Sequence, residues 1–125
     1  MKGMFVNENG TRYAWAIVSG IKTIETRNRN MLSALVGERV AVIRTKSGEK
    51  PCVVGYVDIT HSAWIPKATL NSKAFRDMTL IPVGSEYDCT GSGKYGYFLA
   101  HAERVEPPMP LPENAVRHGR SWCEF

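Results

Sequence analysis

Ser19-Gly20-Ile21-Lys22-Thr23-Ile24-Glu25-Thr26-Arg27 is the stretch on which the fold turns. It sets Lys22, Glu25 and Arg27 just past a glycine, interleaved with apolar Ile21 and Ile24. Immediately upstream, Tyr13-Ala14-Trp15-Ala16-Ile17-Val18 reads as a short helix, because Ala14, Ile17 and Val18 recur at i, i+3, i+4 as one apolar stripe. Gly20 then stands where a left-handed residue ends a helix. Downstream, Ile24 alternates with Glu25 and Arg27 among β-branched threonines, the pattern of a strand. In that strand Glu25 and Arg27 share a face, while Ile24 points into a core. A continuous strand sends Lys22 to the opposite face; a turn lets its stem swing toward the other two. Either the three charges converge on one cleft, or they form a solvated edge with a surface ion pair.

The surrounding chain has 125 residues and is read as a single domain over residues 1–125. That length buries about two thirds of the unfolded surface without disulfide staples. Hydrophobic content of 43% and charged content of 22% are those of an ordinary globular protein. The net charge is +4 and the pI is near 9.1, a basic excess that permits phosphate-rich partners without demanding them. No apolar run approaches the roughly 18 residues of a membrane-spanning helix. Met1-Lys2-Gly3-Met4-Phe5-Val6 is too short an apolar segment for a signal peptide, so a cytoplasmic protein is expected. Cys52, Cys89 and Cys123 are odd in number and widely spaced, which suits reduced thiols. His61, His101 and His118 stand alone, so no metal is expected. No phosphate-binding glycine loop, nucleophile elbow or repeat occurs, and no cofactor is expected; the oligomeric state is left open, with a monomer favoured.

Taken in order, Lys2 to Val6 reads as a first strand and Asn7-Glu8-Asn9-Gly10 as its turn. Beyond the central stretch, Met31 to Val36 reads as a loop or single turn closed by Gly37. Arg39 to Arg44 is a Val/Ile-rich buried strand, followed by the basic turn Arg44 to Lys50. Cys52 to Thr60 is a second strand, and Gly55 inside it signals a bulge or close approach. His61 to Pro66 reads as a loop carrying Trp64, and Ala68 to Met78 as one helix. Glu86 to Lys94 reads as a mobile glycine-rich loop. Tyr95 to Val105 is a third strand, Glu106 to Pro112 is extended because of its prolines, and Gly119 to Cys123 is a last short strand. Ile17, Val18, Ile24, Val40, Val42, Val54, Val57, Phe98 and Leu99 are expected in a single core. Several strands with short helices argue for a small mixed barrel rather than a βαβ sheet.

The central stretch, with the Tyr13-Ala14 pair before it, resembles the signature of the ASCH domain, named for activating signal cointegrator homology. In that family an aromatic-Ala pair opens a helix and a Gly-x-Lys-x-x-Glu-x-Arg turn and strand follow. Gly20, Lys22, Glu25 and Arg27 match each of those positions. Gly37-Glu38-Arg39-Val40-Ala41-Val42 resembles the family's next strand, and Gly119-Arg120-Ser121-Trp122 its closing Gly-x-x-Trp. One departure is visible: Thr11-Arg12 stands where the family often has Gln-Pro. The resemblance implies an α+β fold, a small PUA-like β-barrel flanked by two or more short helices. It also implies a cleft between barrel and first helix that receives RNA or a nucleoside.

Three functions are compatible with these residues. In the first, the domain binds RNA or a modified nucleoside: Lys22 and Arg27 meet phosphate or a base edge, Tyr13 or Trp64 stacks a base, and Glu25 accepts from an exocyclic amine. Arg44 joins this ligand-binding set. In the second, the protein is an enzyme. Small bacterial ASCH proteins are amidohydrolases that deacetylate acetylcytidine with a Lys, a Thr and a Glu. Their Lys aligns with Lys22, but Glu25 stands in place of their Thr. Catalysis would then fall to Lys22 and Glu25, with Glu86 and Glu103 as candidates for the further carboxylate. Arg27 opposes this by depressing the pKa of Glu25. In the third, Pro107 to Pro112 or the basic Arg117 to Arg120 segment docks a protein partner. The Glu25–Arg27 pair is expected at a hydrated cleft mouth, worth about 0–1 kcal/mol of stability.

Overall fold

Two long strands carry the architecture. In the computed structural model, which describes residues 1–125, β4 (Cys52–Pro66) and β5 (Gly93–Pro110) pair antiparallel from Cys52↔Pro110 to Pro66↔Gly93. Around them lie β1 (Lys2–Asn7), β2 (Ile24–Arg27), β3 (Arg39–Thr45), β6 (Val116–His118) and β7 (Trp122–Glu124). The result is one seven-stranded mixed sheet in the order β2-β5-β4-β3-β1-β7-β6. Only β1 and β3 run parallel; every other pairing is antiparallel. Helix α1 (Tyr13–Val18) lies on one face, and α2 (Lys67–Leu70) and α3 (Lys73–Thr79) connect β4 toward β5. No helix is long and apolar enough to cross a membrane.

The apolar stripe of α1 is buried as its spacing demands, with Ala14 and Ile17 at 0% exposure and Val18 at 3%. These three pack with Met4, Val40, Val42, Val57, Ile59, Tyr97 and Leu99 in the main core. Burying such side chains stabilises the fold by about 1.5–3 kcal/mol each. The core is not single, however. Ile24 belongs to a smaller cluster with Ile65, Leu70 and Cys89, against which Phe98 packs. The cause is the pleat: Ile24 pairs with Phe98 in register, whereas the adjacent pair Glu25↔Tyr97 faces the other side.

Three further expectations are corrected. The hydrogen-bonded ladder is not closed into a barrel; it ends at β2 and β6. The sheet nevertheless curls far enough for β2 and β1 to line one cavity. A side chain, Arg27, spans that opening instead of a backbone ladder, with Nη2 donating to the Phe5 carbonyl at 2.7 Å. His61 to Pro66 is strand rather than loop, because β5 supplies partners along its length and Phe98 stacks on His61 at 4.2 Å. The expected helix over Ala68 to Met78 is two helices. Ser72 breaks it by taking an extended conformation, and its hydroxyl accepts from the Phe75 amide at 3.3 Å to start α3.

Candidate functional site

The site begins with the end of α1. Six residues make a marginal helix, so packing and a borrowed cap hold it: Glu8 Oε2 accepts from the Trp15 amide at 3.0 Å. Gly20 takes φ 75°, and the amides of Ile21 and Lys22 both donate to the Ala16 carbonyl, at 2.9 and 3.0 Å. That tight winding keeps Lys22 out of the strand, which starts at Ile24. Of the two arrangements open to the sequence, the turn is the one adopted. Lys22 Nζ donates to the Thr79 carbonyl, lies 3.8 Å from Glu25 Oε1, and sits 4.6 Å from the centre of the Tyr13 ring. Arg27 Nη2 completes the group at 3.1 Å from Glu25 Oε2.

These charges lie inside the protein rather than at a hydrated mouth. Lys22 is 1% exposed and Glu25 8%, so the expectation of a weak, solvated ion pair does not hold. Burial pushes Glu25 toward its neutral form. Arg27 and Lys22, with hydrogen bonds from Arg27 and the Thr26 amide, outweigh that, and its pKa falls below the usual carboxylate range. Lys22 moves down because burial disfavours its charge; Glu25 offsets this in part, while Lys94 and Arg27 add repulsion. Burial, then the charge of Glu25, raises the Tyr13 phenol.

Lys22, Glu25, Arg27 and Tyr13 line one cavity of about 160 Å³. Its other lining residues include Asn7, Thr26, Ile81, Tyr87 and Arg120. Tyr87 meets Tyr13 edge to face at 5.8 Å between ring centres, giving the cavity an aromatic wall. The remaining sequence candidates lie elsewhere. Arg44 pairs with Glu49 at 3.0 Å and lines a separate groove with Trp15 and Arg104. Trp64 is 46% exposed and packs on Tyr95 at 5.0 Å, outside the cavity lining. Glu103 is held by Arg39 at 2.8 Å, and Glu86 lines a neighbouring groove, so Glu25 is the sole carboxylate of the cavity. No group of three or more His, Cys, Asp or Glu converges to hold a metal ion.

No family model and no curated protein matches the sequence. Solved structures do match. The ASCH protein of Zymomonas mobilis superposes with a TM-score of 0.75 at 21% identity, over 98% of this chain and 87% of its own. A tyrosine-to-phenylalanine variant of that protein gives 0.74 at 22% identity, over 100% of this chain and 91% of the other. The fold is that of an ASCH domain.

Within this ASCH fold, sequence reasoning missed Asn7 and Tyr87 and did not place Arg120 at the cavity. Tyr87 lies in a stretch that its glycines mark as mobile, yet Asp88 pins it. The Asp88 carboxylate accepts from the Gly84 and Cys89 amides at 2.7 and 2.9 Å and from Arg76 at 2.9 Å. These bonds, the Gly84 amide foremost, draw its pKa down to about 2. An aspartate four residues after a glycine and twelve after an arginine was the available signal.

Proposed function

We propose that this chain, acting as one ASCH domain, binds RNA or a modified nucleoside with a base seated in the cavity beside Lys22, Glu25 and Arg27. The observation that carries this reading is a buried, ionised carboxylate facing a cavity with an aromatic wall. Glu25 accepts a hydrogen bond from an exocyclic amine such as that of cytosine. Tyr13 and Tyr87 supply the apolar wall against which a base packs. The test is a titration panel of nucleosides and short single-stranded RNA against the wild type and Tyr87→Ala. Micromolar or tighter binding to a nucleobase-containing ligand is expected, with Tyr87→Ala weakening it about five- to a hundredfold through lost stacking. The absence of binding to every nucleoside and RNA tested overturns the reading.

One observation favours deacylation of an acetylcytidine-type nucleoside as a second reading. Lys22 lines the same cavity as Glu25, where its ammonium is available to polarise an acetyl carbonyl. Acetate release from acetylcytidine by the wild type that vanishes in Lys22→Met supports this activity; no release by the wild type removes it.

A further inference from the structure

The cavity's charge does not balance. Its lining holds three cationic side chains, Lys22, Arg27 and Arg120, against the single carboxylate of Glu25. Glu25 is already shared between Arg27 and Lys22. Behind the wall lies Lys94, 6% exposed, whose Nζ donates to the Tyr87 carbonyl at 2.6 Å and forms no ion pair. Of the two acids that flank Tyr87, Asp88 is committed to Arg76 at 2.9 Å, and Glu86 lines the neighbouring groove rather than this cavity. Cations removed from water without full counter-charge are costly, and the two withdrawn from solvent here, Lys22 and Arg27, share one carboxylate.

Arg120 differs from the other two. It is exposed, follows the turn residue Gly119 at φ 66°, and its side chain makes no hydrogen bond or ion pair within the protein. It therefore marks the cavity mouth with an uncommitted guanidinium. Asn7 lies on the same lining; its Oδ1 is taken by the Thr45 hydroxyl at 2.6 Å, which leaves its NH2 free to donate outward.

Resting on the base-binding reading above, we propose that the ligand is a phosphate ester of a nucleoside, free or within an RNA chain. Its phosphate is held at the cavity mouth by Arg120, while its base reaches Glu25. A planar guanidinium suits phosphate oxygens through paired, charge-assisted hydrogen bonds. A neutral nucleoside leaves the surplus charge uncompensated and uses only the inner half of the site.

The test is calorimetric titration of the wild type and Arg120→Ala with cytidine, adenosine, their 5′-monophosphates, a short single-stranded RNA and inorganic phosphate. Because Arg120 has no intramolecular partner, its replacement leaves the fold intact, which an unchanged melting transition verifies. For the wild type, a monophosphate or the RNA is expected to bind about ten- to a hundredfold tighter than the nucleoside. That gain should shrink as salt rises, and Arg120→Ala should erase it while nucleoside affinity stays the same. A monophosphate preferred over RNA identifies a free nucleotide as ligand, and the reverse identifies a chain. Equal affinity for nucleoside and monophosphate, or a phosphate gain untouched by Arg120→Ala, overturns this inference and leaves the base-binding reading standing. Inorganic phosphate binding as tightly as the monophosphate, or no binding at all, overturns both.

Discussion

Glu25 is pulled two ways, and the balance sets its role. Its burial favours the proton, while two adjacent cations favour the charge, and the cations win. Removing the carboxylate therefore strands Lys22 and Arg27 without a counter-ion. Glu25→Ala is expected to destabilise the protein by about 3–5 kcal/mol in urea denaturation at neutral pH. Glu25→Gln, which keeps the shape and one acceptor oxygen, should cost less. The pH dependence has a definite sign. A carboxylate whose folded pKa is depressed contributes stability that is complete above its unfolded pKa and is lost as pH falls through the folded one. Wild-type stability should thus drop below the usual carboxylate range more steeply than that of Glu25→Gln. Parallel profiles would show that Glu25 is not held ionised. At this scale the motif's residue types and spacing were legible in the sequence. Its burial was not, because exposure depends on what α3 and Tyr13 lay over it.

Among the elements, α1 and its ending are the ones the sequence announces most clearly. The stripe Ala14, Ile17, Val18 and the positive φ of Gly20 are local consequences of periodicity and backbone freedom. The segment between α3 and β5 is the opposite case. Its composition suggests mobility, yet the Asp88 carboxylate ties Gly84, Cys89 and Arg76 together and so holds Tyr87 against Tyr13. Asp88→Ala should speed hydrogen exchange at the Gly84 and Cys89 amides and weaken ligand binding through Tyr87. Its effect on global unfolding should be smaller than that of Glu25→Ala. Unchanged exchange at both amides would mean that other contacts hold the wall. The split of the expected helix at Ser72 teaches the same lesson. An apolar spacing of Leu70, Ala74 and Met78 fits one helix, but a serine able to cap α3 interrupts it.

For the molecule as a whole, the decisive feature is how closely α1 approaches the curled sheet. Gly55 in β4 sits where they meet: a Cβ there would collide with the Glu103 carbonyl and come within 2.6 Å of Val18 Cγ1. Gly55→Ala should cost about 1–3 kcal/mol by overpacking, read from thermal or urea unfolding. A neutral outcome would mean that α1 shifts freely on the sheet. By itself the sequence determined the short first helix, its glycine ending and the charged strand after it, and it marked Gly55 as either a bulge or a close approach. Each follows from periodicity or backbone sterics over a few residues. Only the tertiary structure decided that the ladder stays open and that β2 and β1 face one cavity. It alone decided that Asn7, Tyr87 and Arg120 join Lys22, Glu25 and Arg27 there. Strand order and curl come from packing summed over distant segments, and no local pattern encodes which edge strand will meet which.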